Sequence, residues 1–204
     1  YEYAAKKVNK TTKVKFRGNT IDFKKPWKRM TMALCIKKYA KIDINKMSDK
    51  KISEFVKKNN IESKEDVWGW NVQAIFDHFC QDKIIQPTFI IDYPIHMFPL
   101  AKKKEGSETV VDAFQLVVGG IELAKGFSEL NDPIDQRRRF EEQEKLRAAG
   151  DEEAQRLDEE YLTAMEHGMP PALGFGVSER LFAFLENKSA HEAQLFPLLR
   201  PKQR

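Results

Sequence analysis

Two carboxylates, Glu122 and Glu129, share a short segment with a cation, Lys125, and an aromatic ring, Phe127. The segment runs Gly119-Gly120-Ile121-Glu122-Leu123-Ala124-Lys125-Gly126-Phe127-Ser128-Glu129-Leu130-Asn131-Asp132-Pro133, so glycines open it and a proline closes it. A carboxylate on a half-buried strand needs a positive partner or a metal ion, because an unpaired charge is costly to desolvate. The chemistry open to such a pair is the holding of cations. The same pattern also fits two solvated carboxylates on an edge strand. Further along, Gly174-Phe175-Gly176 leads through Val177 and Ser178 to Glu179-Arg180. A fixed guanidinium suits a pair of phosphate oxygens. A lone Gly-Phe-Gly is a weak signal, however, and Arg180 taken alone reads equally as a surface arginine.

These residues need elements to position them. Ala113 to Val118 is an apolar run that predicts a buried strand, and Gly119-Gly120 breaks it with a tight turn. Glu122 to Glu129 alternates loosely between polar and apolar. Asp132 is placed to cap a helix whose first residue is Pro133. The chain stays charged and helical to about Glu166, interrupted at Ala149-Gly150-Asp151, where Gly150 ends one helix and Asp151 caps the next. His167-Gly168-Met169-Pro170-Pro171 breaks the second helix. Leu173 to Val177 then reads as a strand, and the helix from Ser178 turns Leu181, Phe182 and Leu185 inward.

Upstream, Tyr1 to Val8 reads as the end of a helix that begins before the chain does. Thr12 to Phe16 and Thr20 to Phe23 form a hairpin about Arg17-Gly18-Asn19. Thr31 caps a helix reaching about Tyr39. Lys41 to Lys64 is lysine-rich, with a helix after Ser48 that carries Ile52, Phe55 and Val56 on one face and a solvated lysine face on the other. A second helix, Trp68 to Lys83, places Val72, Ile75, Phe76 and Phe79 together, with His78 beside them as a packed histidine. Gln86 to Pro94 is an apolar strand. Apolar strands separated by charged helices predict an antiparallel sheet with helices on one face, in which the central segment and Gly174–Val177 are neighbours.

Composition sets the outer bounds. The 204 residues suit one domain with a real core, and 41% hydrophobic with 32% charged residues is a globular balance. No apolar run approaches the roughly 20 residues of a membrane span, and no signal peptide is visible. The net charge of +4 permits contact with RNA without arguing for it, since Lys and Glu are interspersed. Cys35 and Cys80 have no metal or redox spacing, so reduced thiols are the default.

Gly126-Phe127-Ser128-Glu129-Leu130-Asn131-Asp132-Pro133 with Asp135-Gln136-Arg137-Arg138-Arg139-Phe140 resembles class II lysyl-tRNA synthetase. The resemblance recurs at Gln86 to Pro94, at Tyr161 to Arg180 and at Leu195-Phe196-Pro197-Leu198-Leu199-Arg200-Pro201. It covers most of residues 1–204 and only the later, C-terminal part of a synthetase catalytic domain, with a helical insertion at about 41–83. It implies an α+β fold, an antiparallel sheet flanked by helices. It also implies a cytoplasmic enzyme, part of a homodimer with no membrane contact, that uses ATP with Mg2+ to form lysyl-adenylate and transfers lysine to tRNA(Lys). On the matching positions, Glu129 receives the lysine ε-ammonium and Phe127 flanks the aliphatic stem, with Lys125 beside them. Glu122, Leu123, Gly174, Gly176 and Arg180 fall at the ATP, with Arg180 on the γ-phosphate. Glu122 holds Mg2+, and its metal partner falls at Gln115.

This chain departs from the family at several of these places. Gln115 is neutral where the family has a carboxylate, and Lys125 stands in place of an asparagine. In Pro94-Ile95-His96-Met97-Phe98-Pro99-Leu100, His96 and Phe98 replace a glutamate and a serine. The last signature lacks its third glycine. The family's first two signatures, which form the dimer interface and supply an arginine for the α-phosphate, have no match, nor does the anticodon-binding barrel. Two alternatives follow: a synthetase-like module without aminoacylation activity that binds a partner or small ligand, and a ligase that lysylates another acceptor.

Overall fold

Five strands make the sheet that carries the central segment in a computed structural model, which describes residues 1–64, 66–148, 150, 154–194 and 196. In chain order the elements are α1 (Glu2–Asn9), β1 (Lys13–Phe16), β2 (Asn19–Asp22), β3 (Lys28–Thr31), α2 (Met32–Tyr39), α3 (Asp49–Lys58), α4 (Trp68–Phe79), β4 (Thr88–Pro94), β5 (Val110–Val118), β6 (Ile121–Ser128), α5 (Pro133–Ala148), α6 (Glu159–Glu166), β7 (Leu173–Val177), α7 (Arg180–Leu185) and α8 (Ala190–Ala193). The sheet order is β3-β4-β5-β6-β7, and β1-β2 is a separate hairpin. Every pairing in the large sheet is antiparallel except β3 with β4, which is parallel. A parallel pair needs a long crossover, and α2, α3 and α4 supply it.

Local chemistry explains most boundaries. Thr31 Oγ1 accepts from the Leu34 N–H at 3.1 Å and starts α2. Asp132 Oδ1 accepts from the N–H groups of Ile134 and Asp135 at 2.9 and 3.3 Å, ahead of Pro133. Gly119 and Gly120 both have positive φ, 57° and 76°, as the tight β5–β6 turn requires. The expected Asp151 cap lies outside the described residues, as do Leu195 and residues 197–201 of the last matching stretch; α6 starts instead at Glu159, where the Asp158 side chain accepts from Tyr161 N–H.

Helices do not keep to one face of the sheet. Strand β5 is apolar on both sides, so both sides are covered. Val111, Ala113 and Val117 join Ile90 and Tyr93 under α2, α3 and α4. Leu116 and Val118 join the hairpin residues Val14, Phe16 and Ile21 with Ala5 of α1 and Phe184 of α7. Two expected placements are corrected by this packing. Phe182 is 53% exposed, and Phe184 points inward in its place. His78 is exposed, its ring edge-on to Phe79, because the buried side of α4 is Asn71, Val72, Ile75 and Phe76. The packed histidine is His96, whose ring lies 4.3 Å from that of Trp70; burial lowers its pKa to about 4.

Helix α5 is anchored through its charged face. Arg139 is 2% exposed. Its Nη1 donates to the Ala101 carbonyl at 2.6 Å and its Nη2 to Asp135 at 2.8 Å. Gln136 Nε2 donates to the Pro99 carbonyl at 3.2 Å. One arginine of the Arg137-Arg138-Arg139 run is thus a structural pin rather than a solvated charge.

Candidate functional site

The functional geometry begins with an irregularity in β6. On a regular strand, residues an odd number of positions apart face opposite ways, so Glu122 would point away from Lys125, Phe127 and Glu129. The register shifts, however: Leu116 pairs with Ala124 while Val117 pairs with Glu122, leaving Leu123 as the extra residue of a β-bulge. Glu122 is thereby turned to the face of Lys125 and Phe127. Leu123 is turned the other way, fully buried in the opposite core. The bulge is held from afar: the Leu123 carbonyl accepts from Ser178 N–H at 2.8 Å and from the Tyr1 hydroxyl at 2.6 Å. Leu123, expected at the nucleotide, has its side chain in the opposite core and its carbonyl engaged in holding the bulge.

On the face so formed, Gln115 lies directly opposite Lys125, and Gly176 opposite it on the other side. Phe127 lies opposite Gly174. Strand β6 is thus an interior strand, not an edge. Gln115 Nε2 donates to Glu122 Oε2 at 2.7 Å. Burial raises the Glu122 pKa, with Lys125 and Arg180 pulling it back down. Lys125 and Arg180 are exposed, and among the described residues neither side chain has a carboxylate within salt-bridge distance. The Arg180 backbone N–H donates to Ser178 Oγ at 3.2 Å, next to the residue that claims the bulge.

Glu129 follows the end of β6, in an isolated bridge with Ala101, and its N–H donates to the Ala172 carbonyl at 2.9 Å. Partial burial raises its pKa, and no cation among the described residues pairs with it. A Cβ at Gly174 would lie 3.2 Å from Glu129 Oε1, so the carboxylate rests against that glycine. A Cβ at Gly176 would meet nothing within 4 Å. The stretch Gly174 to Gly176 is therefore a low wall beside Lys125 and Glu129.

Sequence reasoning named two further residues without giving either a place beside these side chains. Phe98 is buried with its ring 5.3 Å from Tyr93 and 5.9 Å from Phe127, so it backs the Phe127 ring. Tyr161 of α6 is near enough to Glu129 for that carboxylate to help raise its pKa, after burial itself. The local pattern does not say what either ring packs against; only the fold brings them in.

The metal expectation can be tested on the donor set. The residues present do not fit a divalent ion shared between positions 115 and 122. Only the NH2 end of Gln115 can face a carboxylate, so Gln115 presents N–H to Glu122, with an ammonium across the strand. Among the described residues no group of three or more His, Cys, Asp or Glu side chains is placed to hold a metal ion.

The class follows from comparison. Residues 1–200 match the model of the class II tRNA synthetases (D, K and N), and the chain belongs to that family. More particularly, it is similar to the lysine–tRNA ligases of Thermoanaerobacter sp. (strain X514), at 44% identity over 99% of this chain and 41% of that protein. Those of Clostridium perfringens (strain 13 / Type A), at 42% over 98% and 42%, and Thermosipho africanus (strain TCF52B), at 40% over 98% and 40%, are also similar. The chain spans about two fifths of the length of these curated relatives. Among the described residues no helix is long and apolar enough to cross a membrane.

Proposed function

We propose that this chain is the later part of the catalytic domain of a lysine–tRNA ligase, with residues 41–83 as a helical insertion. The parent is read as a cytoplasmic homodimer. In the reaction, a lysine carboxylate oxygen bonds to the α-phosphorus of ATP, and the bond to pyrophosphate breaks. The lysyl group then passes to tRNA(Lys). No covalent protein intermediate is needed; positioning and charge stabilisation do the work. Mg2+, where it accompanies ATP, supplies charge neutralisation on the phosphates.

The observation that carries this reading is Glu129: a partly buried carboxylate with no cationic partner among the described residues, resting against Gly174. Its unmet charge suits the lysine ε-ammonium, and a buried polar partner can reject analogues lacking that group by on the order of 10⁴. Phe127, backed by Phe98, flanks the aliphatic stem. Lys125 stands at the anionic end, where carboxylate and phosphates meet. Gly174 and Gly176 give the nucleotide close approach to β7, and Arg180 and Glu122 face its phosphates.

Calorimetric titration tests the lysine site. Lysine is expected to bind this chain and norleucine, which lacks the ammonium, is not; equal binding of the two overturns the reading. Lysine-dependent ATP–pyrophosphate exchange by this chain alone is expected to run more than tenfold below that of a full-length relative, because the α-phosphate arginine of the family has no match here.

A further inference from the structure

Gln115, Glu122, Lys125 and Arg180 form a charge pattern that the fold does not use. Glu122 has one oxygen engaged by the Gln115 amide at 2.7 Å. Lys125, directly across from Gln115, and Arg180, at the start of α7, both lie near enough to Glu122 to lower its pKa. Neither cation makes an ion pair among the described residues. One acid between two cations leaves a positive excess on an open face. The floor beside Lys125 is Gly176, where even a Cβ would touch nothing within 4 Å.

Such a site is complete for an anion and incomplete for a metal ion. An amide N–H facing a carboxylate closes the position from which a second oxygen ligand would come, and magnesium takes oxygen ligands. An ammonium on the neighbouring strand supplies fixed positive charge at the same place. We propose that the Lys125 ammonium binds phosphate oxygens of the nucleotide directly, taking over charge that a divalent cation held between positions 115 and 122 would provide. This rests on the ATP-binding reading above. Phosphate is favoured over the lysine carboxylate as the anion because Lys125 sits on the Glu122 and Arg180 side of Phe127, away from Glu129. Residues two apart on a strand stand about 7 Å apart, so Lys125 is one such step from Phe127 toward Glu122 and two from Glu129.

The test uses this chain, tripolyphosphate and ATP, each titrated with and without Mg2+ in the presence or absence of EDTA, and lysine as a separate arm. Lys125 is exposed, so Lys125→Asn should fold, which circular dichroism checks. The wild-type chain is expected to bind tripolyphosphate and ATP in EDTA within a few-fold of its affinity in Mg2+. Lys125→Asn is expected to lower the metal-free affinity at least about tenfold, the usual scale for one charge-assisted contact, and by more than it lowers affinity for lysine. Adding Gln115→Glu to Lys125→Asn should restore binding only when Mg2+ is present. Wild-type binding that requires Mg2+ overturns the proposal, as does a Lys125→Asn loss confined to lysine; in either case MgATP and lysine still bind and the ligase reading survives. A chain that binds neither lysine nor ATP under any condition overturns both.

Discussion

The sheet face under α2, α3 and α4 and the same face along β6 and β7 are built to opposite rules. Over β4 and β5 the face is dry: Ile90, Tyr93 and Val111 are each 0% exposed and meet Cys35, Ile36 and Ile75, also 0% exposed. From Gln115 of β5 onto the adjacent β6 the face becomes polar, carrying Glu122, Lys125 and, past the strand end, Glu129, bordered by the glycines of β7. The first half buries apolar area and so supplies folding free energy. The second half leaves two cations and a carboxylate without ion-pair partners among the described residues, which adds little to folding. The part of this surface that stabilises the fold and the part proposed above to bind are thus separable, divided at β5.

Substitutions should sort accordingly. The largest effect belongs to the dry half: Ile90→Ala is expected to cost about 2–5 kcal/mol of stability by transfer and cavity terms, read from urea unfolding, whereas Lys125→Asn should stay within about 0.5 kcal/mol. If both shifted the midpoint equally, the division would be wrong. Next, Glu129→Gln is expected to weaken lysine binding by about tenfold or more through loss of the counter-charge, with the unfolding midpoint almost unmoved. Calorimetry and denaturation on the same preparation check the two halves of that statement.

A smaller effect should come from the glycines. Gly174→Ala places a methyl 3.2 Å from Glu129 Oε1, so lysine affinity should drop a few-fold as the carboxylate shifts. Gly176→Ala meets no protein atom within 4 Å and should leave stability unchanged; a fall in ATP affinity would then report the nucleotide itself, and an unchanged affinity would place the nucleotide elsewhere.

The smallest effect is electrostatic. Burial raises the Glu122 and Glu129 pKa values above the ordinary 4.5. The folded chain therefore holds more protons than the unfolded chain just above that pH, and stability from these groups falls as pH rises through the window between the two values. Glu122→Gln with Glu129→Gln should flatten this part of the stability curve, just above pH 4.5, relative to wild type. A steeper curve in the double variant would reverse the assignment.

How much of this was legible beforehand depends on the range over which each feature is decided. Thr31 as a cap, Asp132 before Pro133, the glycine pair at 119–120, the hairpin about Gly18 and the strand at 173–177 are all set by residues within a few positions of one another, and each stands where the local pattern places it. The likeness of Glu129, Phe127 and Arg180 to a lysyl-tRNA synthetase was equally visible, because it lies in short runs of chain. What tertiary structure alone decided is which side chains share a face. Glu122 joins Lys125 only through the bulge at Leu123, and that bulge is held by Ser178 and Tyr1, neither of them a local neighbour. The thiols of Cys35 and Cys80, unremarkable by spacing, hydrogen-bond each other in the core under α2 and α4, which lowers the pKa of Cys35 and raises that of Cys80. Strand β3 joins the sheet in parallel because the α2–α4 crossover returns it there. Each of these needs the chain to be closed over long loops, and the free energy for that closure comes from the packed core rather than from any residue's own neighbours.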